Sequence, residues 1–305
     1  MSNLLFIGGT GFLGQSFFDY LNEGNLKNLK LKKIIVLSRK KKKIKCNINT
    51  KFIANNIANI KKLPKVDYII YASNSLNYKE NVRGIKNFIS LLDERHKKIK
   101  ILFTSSGAIY GKSNIKKKFK ENDIISLKKI NKFNGYKKNY AKSKIFIENE
   151  FHKLGKKGYK VSIVRLFTFI GKRILINKNF AITNLINQAK NPKIKEIRLI
   201  SSNNVFRSYM NSTDLIRWII QILKKSDNKC EIYNIGSDEI ISIMDLSKLI
   251  AKKFKKKLNF NIFKINNKNE DFYVPSILKA KTKLNLKLRF KLNKSLNLLY
   301  KQIQK

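Results

Sequence analysis

The segment Tyr140-Ala141-Lys142-Ser143-Lys144 sets a phenol and an ammonium four residues apart, on one face of any helix that holds them. A cation beside a phenol favours the phenolate, so Lys144 should lower the Tyr140 pKa from its ordinary value of about 10 and make the phenol a proton donor or acceptor near neutral pH. With 58 lysines in the chain such a pair also arises by chance, and it needs a partner to mean chemistry. Thr104-Ser105-Ser106-Gly107-Ala108-Ile109-Tyr110-Gly111 offers one. It follows the apolar run Ile101–Thr104, so its hydroxyls emerge at the carboxyl end of a buried strand, where open α/β sheets bind ligands. A serine there can hydrogen-bond a substrate hydroxyl or carbonyl while Tyr140 moves the proton. The same serines would equally serve as a helix cap or turn.

A second constellation lies at the start of the chain. Leu4-Leu5-Phe6-Ile7 is fully apolar and runs into Gly8-Gly9-Thr10-Gly11-Phe12-Leu13-Gly14, followed by helical spacing at Phe17, Phe18 and Leu21. Strand, glycine turn and helix in that order let backbone N–H groups approach a pyrophosphate at the helix N-terminus. Gly8, Gly11 and Gly14 occupy the three glycine places. An acid at the end of the second strand would accept bonds from a ribose 2′-OH and repel a 2′-phosphate. The sequence there reads Val36-Leu37-Ser38-Arg39-Lys40. A hydroxyl and a guanidinium can hold the phosphate, which favours NADP(H) and leaves NAD(H) as the alternative. Arg39 and Lys40 also suit the mere start of a basic loop.

Elements must position these groups. Apolar or β-branched runs recur at Ile34–Leu37, Tyr68–Ala72, Ile101–Thr104 and Val161–Leu166, and the gaps hold helices such as Val82–Leu92 and Tyr140–Leu154. Buried strands alternating with helices predict an α/β fold, a Rossmann-type doubly wound parallel sheet. The alternation loosens after Gly171. We therefore expect a dinucleotide-binding domain over 1–171 and a smaller, mainly substrate-binding portion over 172–305, with a strand near 231–236 possibly returning to the sheet.

Composition bounds the rest. The chain has 305 residues and a net charge of +48, but only nine of its 67 basic residues are Arg, and Asn numbers 37. Lys, Asn and Ile share AT-rich codons, and Arg is the preferred phosphate fork. The charge therefore reads as composition drift rather than specific nucleic-acid binding, although so large a field should draw anionic substrates. Cys46, Cys230, His96 and His152 fall short of a zinc or iron–sulfur ligand set, so no metal is expected. No apolar run approaches the roughly 18 residues of a membrane span, and the chain opens on a strand rather than a signal-peptide pattern, which predicts a soluble, cytoplasmic protein without membrane partners.

GGTGFLG, SSGAIYG and YAKSK, in this order and at these distances, resemble the extended short-chain dehydrogenase/reductases, the NAD(P)-dependent nucleotide-sugar epimerase/dehydratase group. Asn81-Val82-Arg83-Gly84 with Asn87, Arg165-Leu166-Phe167, Phe206-Arg207-Ser208-Tyr209 with Asp214-Leu215, and Tyr233-Asn234-Ile235-Gly236-Ser237 extend the likeness along nearly the whole chain. The resemblance implies an active-site serine at Ser106, an acid/base at Tyr140, and a Lys144 that binds the nicotinamide ribose. It also implies cofactor contacts from Gly8, Thr10, Gly11, Phe12, Leu13, Gly14, Ser38, Arg39, Asn56, Ile57 and Ala72, with Arg207 on a substrate diphosphate. The group's 4,6-dehydratases carry an Asp-Glu pair just after the active-site hydroxyl, where this chain has Gly107 and Ala108. Dehydration therefore lacks its acid and base. The implied activity is hydride transfer at C4 of a nucleotide-diphosphate hexose in sugar-nucleotide or surface-polysaccharide biosynthesis, a reductase slightly ahead of a 4-epimerase with retained NAD. A homodimer is possible, and a basic nucleic-acid or scaffold protein is the non-enzyme alternative.

Overall fold

A computed structural model describes residues 2–25, 30–42, 44–176, 180–200, 205–261 and 270–304. Its centre is a seven-stranded parallel sheet. In chain order the strands are β1 (Ser2–Ile7), β2 (Leu31–Ser38), β3 (Asn49–Ala54), β4 (Tyr68–Tyr71), β5 (Lys100–Ser106), β6 (Lys160–Leu166) and the strand Glu231–Ile235. Across the sheet the order is Glu231–Ile235, β6, β5, β4, β1, β2, β3. The chain runs outward from β1 to β3, then crosses back to β4 and runs outward the other way. The point of reversal lies between the carboxyl ends of β1 and β4, where a sheet of this topology opens a crevice.

Both faces of the sheet are covered, which a parallel sheet requires. Leu4 and Phe6 of β1 enter one apolar cluster with Ile34, Val36, Ile70 and Leu102, under the helices α1 (Phe12–Asn22) and Ser212–Lys224. Leu5 and Ile7 enter the other, with Ile35, Ile69, Tyr71 and Phe103. Two helices cover that face, α2 (Tyr78–Ser90) and, after the short α3 (Leu127–Asn131), α4 (Gly135–Lys156). The consecutive apolar residues of the sequence thus alternate between two cores. The helices begin earlier than the apolar spacing predicts. Asn77 caps α2 by accepting from the N–H of Lys79 at 2.8 Å, and α4 opens five residues before Tyr140, which places Tyr140 in its second turn. The edge strand β3, with only Phe52-Ile53-Ala54 apolar after a polar start, goes unread in the sequence.

A third apolar cluster, including Ile182, Leu185, Leu246, Ile250 and Leu296, binds the helices of the second half together. Beside it a three-stranded sheet sets Val205–Arg207 between Ile241–Ser242 and Asp271–Tyr273. Parallel pairing places Tyr273 opposite Arg207.

Arg165 on β6 ties these layers to one another. Its Nε and Nη2 donate to the Glu148 carboxylate of α4 at 3.1 and 2.8 Å, and its Nη1 donates to Tyr110 Oη at 2.7 Å and to the Glu121 carbonyl at 2.9 Å. Both charged side chains are 4% exposed. Tyr110 donates onward to Asn234 Oδ1 at 2.9 Å, on the strand Glu231–Ile235. Arg165→Met leaves the Glu148 carboxylate buried without its cation, and should cost about 3–5 kcal/mol in urea unfolding. Arg165→Met combined with Glu148→Leu removes both charges and should recover most of that loss.

Candidate active site

The glycine turn fits together by close backbone approach. Gly8 has a φ of +82°, and a Cβ on it would lie 2.8 Å from the backbone of Ala72 and Ser73. β1 and β4 thus meet with no side chain between them at the reversal point. A Cβ on Gly14 would lie 1.9 Å from the Gly9 carbonyl. Gly11 differs, because the nearest atom to its missing Cβ is the Gly8 carbonyl oxygen at 3.5 Å. The chain's own packing demands glycine at 8 and 14, whereas at 11 the missing side chain leaves open room over the start of α1. That helix has no side-chain cap and no acid in its first turn, so its free N–H groups and positive dipole end suit an anion. The residues present therefore fit a dinucleotide pyrophosphate. Phe12 stacks on Phe169 with ring centroids 4.5 Å apart, and Leu13 packs into the core. These two side chains hold the helix in place, leaving their backbone to face a ligand.

At the end of β2, Ser38 Oγ and Thr10 Oγ1 share a hydrogen bond of 2.6 Å, which joins two of the sequence-predicted cofactor residues. Arg39 is largely exposed and its Nη1 lies 3.5 Å from Glu80 Oε2. Glu80, in the first turn of α2, also accepts from Asn56 Nδ2 at 3.3 Å and from the Ser75 hydroxyl. The sequence reading finds no acid at the end of β2, yet the fold brings one there from 41 residues away. Ile57 is 5% exposed and its side chain belongs to the core, so only its backbone can meet a cofactor.

Ser106 ends β5 and caps the short 3-10 turn Gly107–Tyr110, its Oγ accepting from the N–H of Ala108 at 3.2 Å. That bond uses one of the two lone pairs of the oxygen, and the hydroxyl proton is free to point outward. Two phenols, Tyr140 and Tyr273, lie near it, and hydrogen bonding with Ser106 acts to lower the pKa of each. The cap is therefore present, and it leaves the hydroxyl proton available for a second partner. The neighbouring Ser105 is 2% exposed and faces away into the sheet.

Lys144 follows Tyr140 by one helical turn, 3% exposed, and its Nζ donates to the Thr104 carbonyl at 2.8 Å. It lies 5.0 Å from the Phe103 ring and 5.6 Å from the Tyr140 ring. The predicted electrostatic effect is reversed here. Burial raises the Tyr140 pKa above that of an ordinary phenol, with hydrogen bonding from Ser106 only partly opposing it. Burial also lowers Lys144 to about 8, against the attraction of Glu148. The ammonium is directed at a carbonyl rather than at the phenol oxygen.

Arg207, on which the resemblance places a diphosphate, directs its fork elsewhere. Nη2 donates to Asp271 Oδ2 at 2.8 Å, and Nη1 donates to the carbonyls of Asp271 and Phe206, each at 2.8 Å. The guanidinium lies 5.6 Å from the centre of the Tyr273 ring. Asp271, Tyr273 and Glu80 are the site-lining residues that sequence reasoning misses. None sits in a recognisable spacing, and each arrives by pairing or packing of segments distant in sequence.

The fold recurs in proteins of known structure. A sequence profile of the NAD dependent epimerase/dehydratase family matches residues 4–236. Among curated proteins none matches the sequence. The fold is similar to that of dTDP-glucose 4,6-dehydratase from Bacillus anthracis in complex with NAD, at 19% identity and a TM-score of 0.79, over 100% of this chain and 97% of that one. It is similar to UDP-glucose 4-epimerase from Thermotoga maritima with UDP-glucose, at 19% identity and a TM-score of 0.74, over 99% and 98%. UDP-glucuronic acid 4-epimerase from Bacillus cereus, in complex with a fluorinated UDP-glucuronic acid and NAD, gives 20% and 0.76 over 99% of each chain. No described helix is long and apolar enough to cross a membrane. With its Rossmann-type sheet and a family match over most of its length, this chain is an enzyme of the NAD dependent epimerase/dehydratase family.

Proposed function

We propose that the protein transfers hydride at C4 of a nucleotide-diphosphate hexose, as a reductase of a 4-keto sugar in sugar-nucleotide biosynthesis. The observation that carries this reading is Tyr140 beside Ser106, with Lys144 one turn on, at the mouth of the glycine-turn crevice. The complexes of similar folds with NAD and UDP-glucose support the substrate class. A bound nicotinamide dinucleotide supplies the hydride. Tyr140 supplies the proton, because burial keeps its phenol protonated and therefore a donor to the developing alkoxide. Ser106 donates its single proton in a hydrogen bond to the reacting oxygen, and once Tyr140 has given up its own proton it can turn that donor to the phenolate left behind. The protonated resting state of Tyr140 favours the reductive direction. A 4-epimerase reading would show itself as tightly retained NAD, with no net consumption of reduced cofactor.

Ser38 and Arg39 support NADP(H), and Glu80 shares the guanidinium that a 2′-phosphate would use. Arg39→Ala should weaken NADPH about 10–100-fold, far more than NADH. Glu80→Gln should tighten NADPH by freeing Arg39, and fluorescence titration of both variants tests the pair. Equal losses for both cofactors in Arg39→Ala would make NAD(H) the cofactor.

Tyr140→Phe keeps the ring and removes the proton, so turnover of the sugar should fall about 10²–10⁴-fold while cofactor binding and melting temperature hold. Near-normal turnover would move the acid elsewhere.

Lys144 gives a stability signature of its own. Its folded pKa of about 8 lies below the 10.5 of the unfolded chain. Between these values the unfolded chain binds more protons, so this group's contribution to stability rises with pH across that window, and the cost of the buried ammonium is fully present below pH 8. Lys144→Met should therefore gain stability relative to wild type at pH 7 by up to about 3 kcal/mol, and lose that gain by pH 10.5. Urea unfolding of both proteins at the two pH values reads the difference.

A further inference from the structure

The second half of the molecule brings an acid to the arginine beside the site. Tyr273 spans the gap between Arg207 and the serine turn. Its Oη would lie 2.7 Å from a Cβ on Gly107, the residue after Ser106, and the Arg207 guanidinium lies 5.6 Å from the centre of its ring. Parallel pairing of Asp271–Tyr273 with Val205–Arg207 carries Asp271 within reach of that guanidinium. Asp271 Oδ2 accepts from Nη2 at 2.8 Å, and Nη1 donates to Asp271 Oδ1 at 3.3 Å and to the carbonyls of Asp271 and Phe206. The end of the fork is therefore taken within the protein. The two side chains are 21% and 24% exposed, so a ligand that reaches Arg207 meets a neutral pair rather than a cation. Glu270, the next acid along the chain, bonds Lys116 at 3.0 Å instead.

We propose that Asp271 is a specificity-determining residue, an internal counter-anion to Arg207 that favours the esterified diphosphate of a sugar nucleotide over the free nucleoside diphosphate. The proposal rests on the nucleotide-sugar reading above. Its physical reason is the charge of the chain. A net +48 draws polyanions without regard to what carries the phosphates, and favours the higher charge. In a sugar nucleotide both phosphates are bridged on two sides and carry one charge each. The free diphosphate ends in a group whose second ionisation falls near neutral pH, which adds up to about one more charge. A bare Arg207 would add to the field and favour the free nucleotide. With Asp271 bound, the pair has no net charge to offer, and the carboxylate repels the terminal dianion at short range, where the Coulomb energy is largest. The crevice is matched at its other end, where Glu80 meets Arg39, although the chain has only 19 acids for 67 bases.

The test is isothermal titration of wild type, Asp271→Asn and Glu270→Gln, each loaded with reduced cofactor, with UDP-glucose, dTDP-glucose, UDP and dTDP, above the second ionisation of the terminal phosphate. Asparagine keeps the size of aspartate and one of its acceptors, so the contact to Arg207 is retained while the charge goes. Asp271→Asn should tighten the nucleoside diphosphate about tenfold and its sugar nucleotide only about two- to threefold. Glu270→Gln, the same loss of charge one residue away, should change either by less than about twofold. Unchanged or weaker binding of the nucleoside diphosphate to Asp271→Asn makes the acid a support for Arg207, which overturns the proposal and leaves the function standing. Equal tightening of both ligands, or an equal effect of Glu270→Gln, makes Asp271 part of the general field and also overturns it. If Asp271→Asn does not fold, wild type decides alone: it should bind the sugar nucleotide more tightly than the parent diphosphate, and the reverse order overturns the proposal. Failure of wild type to bind either sugar nucleotide overturns the nucleotide-sugar reading, and the proposal with it.

Discussion

The Arg165–Glu148 pair is the contact on which the geometry of the site depends. Glu148 follows Lys144 by one helical turn and Tyr140 by two, so fixing its carboxylate fixes the rotation of α4 about its axis and with it the height of both groups over the sheet. The same guanidinium holds Tyr110, four residues beyond Ser106. One side chain on β6 thereby sets the distance between the helix that carries the phenol and the turn that carries the serine. A lysine could not do this, since three partners in different directions require a planar fork with several donors. The pair is costly to bury, and a well-packed apolar substitute could match it in stability. What the apolar substitute would lack is direction.

The crevice has a different origin. At the reversal between β1 and β4 the chain closes by backbone contact alone, with Gly8 against Ala72 and Ser73 and Gly14 against Gly9. These contacts bring the N-terminus of α1 close to the sheet while leaving room over Gly11. Thr10 and Ser38 seal the β2 side with a hydrogen bond, and Ser106 lies on the other side, at the end of β5. The two halves of the site need no shared residue, because parallel strands end at a common level.

What is legible in the sequence is what is local. The glycine turn, the Tyr140–Lys144 spacing and the hydroxyls after Ile101–Thr104 all lie within a single turn or strand end, where type and spacing carry the geometry. The five inner strands among the first six are legible as apolar runs because both of their faces are buried. β3 is not, since it starts polar and lies at the sheet edge. The environment of Arg207 is not legible either. Its partner Asp271 stands 64 residues away and is brought within reach only by parallel pairing of two three-residue strands. Glu80 reaches Arg39 in the same way, through the docking of α2 against the ends of β2 and β3. The sign of the Tyr140 shift escapes for another reason. Spacing places a cation near a phenol, but only the fold shows that the ammonium turns to the Thr104 carbonyl and that burial outweighs it.

The same distinction explains how a chain of net charge +48 builds a selective site. Among the described residues, six of the nine arginines form ion pairs: Arg39, Arg95, Arg165, Arg173, Arg207 and Arg217. The pairs with both partners most buried, Arg165 with Glu148 and Arg217 with Asp214, both use Arg. Arginine therefore stands in the most deeply buried pairs, while the ion pairs of lysine, such as Lys279 and Lys283 with Glu231, lie nearer the surface. Lys144, beside Tyr140 and Thr104, is buried until its proton is more weakly held than that of a surface lysine. The surface lysines act together as a field that reaches about 8–10 Å before salt screens it. They raise the local concentration of any polyanion alike, whether nucleotide sugar or nucleic acid. Direction must then come from neutral groups, such as the hydroxyls of Ser106 and Tyr140, whose hydrogen bonds a diffuse field of charge cannot imitate.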